Sequence, residues 1–124
     1  MKPLLIYHGD CQDGFGAAWA AWHQHGERYD FYPATHGHAP PPDLDGREVV
    51  IADFSYPLET MSALAKRAAK VTLIDHHITA QQALQPLLEG GLIDGVLDMN
   101  KSGAILTWEW FHPGEPPPRL LDYI

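Results

Sequence analysis

Aspartate and histidine cluster in three stretches of this chain: His8-Gly9-Asp10-Cys11-Gln12-Asp13, then Asp53, then Asp75-His76-His77. Carboxylate oxygens mixed with imidazole nitrogens suit Mn²⁺ or a similar divalent ion. Asp10, Asp13, Asp53 and Asp75 gathered in one cleft would repel one another unless cations intervened, and two such ions would fit that charge. Paired ions of this kind serve phosphate-ester chemistry. Each residue also has a simpler role when taken alone. Asp53 would cap a helix beginning near Pro57, Asp75 would sit in the turn before Thr79, and Asp13-Gly14 would be an ordinary turn. His76 and His77 would be an exposed loop pair. Their common location distinguishes the set from these separate readings.

That location follows from the elements. Leu4 to Tyr7, Tyr29 to Pro33, Val49 to Ala52, Val71 to Ile74 and Gly95 to Leu97 are short apolar runs of strand length. Between them lie segments of helical composition. Gly14 to Gly26 is rich in alanine and tryptophan, and Leu58 to Ala69 follows Pro57 in a first turn. Thr79 with Gln82 reads as a capping box for a helix ending at Gly90-Gly91, and Ser102 N-caps a helix to Phe111. Thr35 to Asp45, with Pro40, Pro41 and Pro42, is irregular. Strands separated by helices predict an α/β domain, a three-layer sandwich with a mainly parallel sheet of about five strands. In such a sheet the ends of the first, third and fourth strands share one edge, where open α/β sheets bind ligands. His8, Asp10, Asp13, Asp53, Asp75, His76 and His77 all fall there.

The remaining candidates have blander expectations. His23 and His25 read as a solvated helix end, and Cys11 as a small buried spacer between the acids. His36 and His38 lie in a loop that is either plain surface or a cover for the cleft. His112 has no evident partner in sequence. Trp19, Trp22, Trp108 and Trp110 read as core or interface residues.

At 124 residues the chain suits one domain spanning 1–124, and an apolar fraction of 45% is enough for a core. Sixteen acidic against eight basic residues give a net charge of −8, which opposes binding of long duplex nucleic acid but not of a small phosphorylated ligand. A single cysteine suits a reducing compartment, and the apolar run before His8 is too short for a signal peptide. The expectation is a cytoplasmic protein without a membrane span, with a homo-oligomer possible.

The motifs resemble those of the DHH phosphoesterase superfamily. Tyr7 through Trp19 looks like its first motif, Val50 through Pro57 its second, and Leu73 through His77 its third; Asp98 through Trp108 is similar to a later segment. The resemblance implies a hydrolase dependent on Mn²⁺ or Mg²⁺, with one or two ions. It implies that His8 and Asp10 hold one metal, that Asp13 and His76 hold the other, and that Asp53 bridges them. His77 would face the substrate phosphate, Asp75 would act beside it as support or proton relay, and Ser102 and Gly103 would contact substrate. The family's fourth motif, a further metal-binding aspartate, and its C-terminal substrate domain are expected beyond Ile124, with Asp122 a conceivable substitute for the aspartate. The implied function is hydrolysis of a phosphodiester or phosphoanhydride in a nucleotide-like substrate. The alternatives are a truncated, catalytically impaired domain that sequesters a nucleotide, or one that pairs with a partner protein.

Overall fold

The computed structural model describes residues 2–9 and 11–122, with only the backbone described at Gln24, His25, Leu120 and Asp122. Asp10 therefore lies outside the described residues, as do the side chains of His25 and Asp122.

Five strands, β1 (Leu4–His8), β2 (Asp30–Ala34), β3 (Glu48–Ala52), β4 (Lys70–Asp75) and β5 (Asp94–Leu97), form one sheet in the order β2-β1-β3-β4-β5. Every pairing is parallel. Helices α1 (Gln12–His25), α2 (Leu58–Arg67), α3 (Ile78–Glu89) and α4 (Gly103–Phe111) cover the two faces, and a short α5 (Arg119–Asp122) follows.

The layers arise from alternation along the strands. Leu4, Ile6, Val49, Ile51, Val71 and Leu73 turn to one face and pack with Met61 and Leu64 of α2 and Leu84 and Leu87 of α3. Leu5, Val50, Ala52 and Ile74 turn to the other, against Ala17, Ala18 and Ala21 of α1 and Leu106 and Phe111 of α4. The alanine face of α1 lets that helix approach the sheet and α4 closely. At the amino-terminal end of the sheet, buried Arg47 ties three segments together. Its Nε donates to the Lys2 carbonyl at 2.9 Å, its Nη1 to the Asp43 carbonyl at 3.2 Å and its Nη2 to Asp30 Oδ2 at 2.6 Å.

Two helix starts differ from the expectation. α1 begins at Gln12 rather than Gly14, because Cys11 caps it with a sulfur that accepts the Gly14 amide at 3.1 Å. α3 begins at Ile78 with His77 at the N-cap, so the capping box at Thr79 is not formed. The His77 ring is turned to Asp75 instead and offers no cap. Among the described residues, no helix is long and apolar enough to cross a membrane.

Candidate metal centre

Strand register brings the three motifs level. Tyr7 pairs with Ala52 and Ala52 with Ile74, so His8, Asp53 and Asp75 emerge side by side at the carboxyl edge of β1, β3 and β4. The strand order reverses between β1 and β3, where a crevice opens in such sheets.

Asp53 stands at the centre. Its backbone is left-handed (φ 57°), a conformation that costs a non-glycine residue on the order of 1 kcal/mol and that aspartate tolerates better than most. The turn keeps its amide bonded to the Ile74 carbonyl at 2.8 Å while sending the carboxylate into the site, 1% exposed. Its two oxygens face different groups. Oδ2 accepts from Cys11 Sγ at 3.3 Å, and that sulfur is 3.2 Å from His8 Nδ1. Oδ1 lies 2.8 Å from His76 Nε2 yet has no hydrogen-bond partner among the described residues, so the imidazole is near it without being aimed as a donor. Burial first, then the negative charge of Asp13, pushes the Asp53 carboxyl up to about 6, against the opposing influence of Cys11 and His76.

Asp13 lies in the first turn of α1 and joins the cluster from the side. Its Oδ1 accepts the Ala104 amide at 2.8 Å and its Oδ2 the Gly103 amide at 2.9 Å, so it anchors the start of α4. Oδ2 is also 3.1 Å from His76 Nε2. A Cβ at position 103 would overlap the Asp53 carboxylate, so only glycine lets α4 come this close. Ser102 caps α4 through its Oγ, which accepts the Ile105 amide at 3.2 Å. The Ser102 hydroxyl and the Gly103 amide, expected at the substrate, are thus both engaged in holding the helix beside the acids.

Asp75 is fully buried, and its Oδ1 accepts from the His76 amide at 2.8 Å and pairs with His77 Nδ1 at 2.7 Å. This carboxylate–imidazole contact orients a half-exposed His77 and fixes Nδ1 as its donor nitrogen. Asp75 Oδ2 is buried with no hydrogen-bond partner among the described residues.

These positions fit a divalent ion. Ligand atoms of Asp53, Asp75, His76 and His77 lie within 4.8 Å of one another, as do those of His8, Cys11 and Asp53. Adjacent ligands on an octahedral ion with bonds near ~2.1 Å sit about 3 Å apart, and the His76 Nε2 distances of 2.8 and 3.1 Å to Asp53 and Asp13 match that spacing. Orphaned carboxylate oxygens are what a cation would satisfy. Among the described residues, the lysine and arginine ion pairs lie elsewhere: Arg47 with Asp30, Arg67 with Asp45, Lys70 with Asp94 and Lys101 with Glu109.

Cys11 is the site residue that sequence reasoning passed over. It is half-buried, caps α1 and touches both His8 and Asp53, with a thiol that burial pushes up. The signal available was its spacing, three residues after His8 and three before Gly14. His36 also reaches the site, its ring stacked on Phe54 at 4.6 Å and edge-on to His8 at 5.0 Å. Two histidines belong to another layer. His112 is buried, with Nε2 3.0 Å from the Ala20 carbonyl and its ring on Trp108 at 3.6 Å, and His23 stacks against Trp19. Trp108 is a core residue, whereas Trp22 and Trp110 are exposed.

No family model matches the chain. Uncharacterized protein R106 of Acanthamoeba polyphaga mimivirus is similar, 29% identical over 140 residues that cover 98% of this chain and 32% of the viral protein. The crystal structure of an uncharacterized protein from Helicobacter pylori G27 superposes with a TM-score of 0.65 at 17% identity, over 99% of this chain and 39% of the other. At that identity the structural likeness speaks for the fold alone. The chain spans about a third of the length of the viral relative.

Proposed function

We propose that this domain hydrolyses a phosphodiester or phosphoanhydride bond in a nucleotide-like substrate, using Mn²⁺ or Mg²⁺ held by His8, Asp13, Asp53 and His76, with Asp10 expected beside them. The observation that carries this reading is the two-sided placement of Asp53, with Oδ2 meeting Cys11 beside His8 and Oδ1 toward His76. A carboxylate so placed suits a bridge between two ions. Bound there, such ions would supply Lewis-acid charge for the phosphoryl oxygens and make water acidic enough to attack.

The chain's own residues do the positioning. Asp13 fixes α4 against the site, and Gly103 keeps the space beside Asp53 narrow. Asp75 holds His77 by Nδ1, which leaves Nε2 to meet a phosphate oxygen or carry a proton to the leaving group. The acidic surroundings also explain why the site needs cations: a bare cluster of carboxylates would repel a phosphate.

Full-length chain incubated with Mn²⁺ and bis(p-nitrophenyl) phosphate is expected to release p-nitrophenol. Asp53→Ala or His76→Ala is expected to lower that release at least 100-fold. Turnover that survives both substitutions would sink the reading, and metal-dependent nucleotide binding without turnover would identify a sequestering domain instead.

A further inference from the structure

A cleft of about 540 Å³ opens beside the cluster, between the loop that follows β2 and the first turns of α2 and α3. Its size suits a nucleoside rather than a whole oligomer. It meets the metal centre at two residues: Phe54, next in sequence to Asp53, and His36, whose ring contacts both Phe54 and His8. The small side chain of Ala83 on α3 and the hydroxyl of Thr60 on α2 leave the space between the helices open. Tyr56 stands in the wall, and its hydroxyl has no hydrogen-bond partner among the described residues.

What lines the cleft decides its occupant. None of its lining residues is lysine, arginine, aspartate or glutamate, and its cationic potential is confined to the imidazoles of His36 and His38. A second phosphate, as in pyrophosphate or a polyphosphate, calls for fixed cations or a fork of strong donors. A flat neutral group with a few polar atoms gains instead from apolar walls, aromatic faces and scattered hydroxyls. The imidazole of His36 lies on the buried Phe54 with 29° between the rings, so His36 forms the flat wall of the cleft nearest the metal centre.

We infer that this cleft is the subsite for the neutral organic group of the substrate, a nucleobase with its sugar, and that it selects nucleoside phosphates over inorganic polyphosphates. The inference deepens the phosphoesterase reading and rests on it for the neighbouring phosphate position.

The test is calorimetric titration of the full chain in Mn²⁺ buffer with adenosine 5′-monophosphate, inorganic phosphate and adenosine. The monophosphate is expected to bind at least ten-fold more tightly than inorganic phosphate. Ala83→Trp, which fills the cleft from α3, should remove that advantage and leave inorganic phosphate unchanged. Thr60→Phe fills it from α2 and serves as the independent variant, with thermal melts establishing that each is folded. Equal affinity for the two phosphates, or full nucleotide affinity in a folded cleft-filling variant, overturns the inference. If inorganic phosphate fails to bind at all, the metal-phosphate reading falls, and adenosine decides the cleft by itself. Adenosine binding that Ala83→Trp abolishes upholds the subsite, and absence of adenosine binding removes it.

Discussion

Asp53 combines a left-handed backbone, near-complete burial and an orphaned oxygen in one residue. In the metal-free protein its raised pKa makes a definite pH signature. The folded state holds the proton up to about 6, whereas an unfolded aspartate releases it near ~3.9. Between those values the native state binds more protons than the unfolded state, so this residue's contribution to stability falls as pH rises and levels off above about 6. Chelator-treated wild type compared with Asp53→Asn by urea denaturation should therefore show the wild type losing stability relative to the variant between pH 4.5 and 6.5. A difference that stays flat across that window would contradict the assignment. Mn²⁺ bound as proposed should reverse the preference, because a cation rewards the ionised carboxylate.

At the scale of elements, the expected α/β sandwich with about five parallel strands is what forms. It was legible because Val49 to Ala52 and Val71 to Ile74 are apolar runs bounded by acids and turns, while Pro57 opens a run of good helix formers from Leu58 onward. The placement of His8, Asp53 and Asp75 followed from the strand ends alone. The roles of Asp13 and Cys11 did not follow, because they depend on contacts that no local pattern encodes. Asp13 bonds to the start of α4, ninety residues away, and Cys11 meets Asp53 across the crevice. His112 likewise reads as a lone polar residue until α1 supplies the Ala20 carbonyl. The Asp13 contact predicts a stability cost separate from any loss of metal. Asp13→Ala removes two charge-assisted bonds to helix amides, about 2 kcal/mol, partly offset by relief of repulsion with Asp53. Chemical denaturation in chelator should register a net destabilisation, with Asp13→Asn milder; a neutral result would show that α4 docks without this anchor.

For the whole molecule, a net charge of −8 and a carboxylate-rich rim predict that divalent ions act as a folding ligand. At a hundred-fold excess over Kd, Mn²⁺ should add about 2.7 kcal/mol to stability, visible as a rise of several degrees in the thermal midpoint that chelator reverses. Asp53→Ala should lose most of that rise. Equal stabilisation of wild type and variant would point to nonspecific screening. The arrangement of the sheet has a separate consequence. Arg47 and its partners knot the chain at the amino-terminal end, while the described metal-ligand candidates stand at the carboxyl end. The Arg47 knot and the candidate metal centre thus occupy opposite rims of one slab. Segments of the carboxyl rim that spare the Asp13 and Cys11 contacts can therefore vary without touching the knot, which makes this scaffold a socket at one end only.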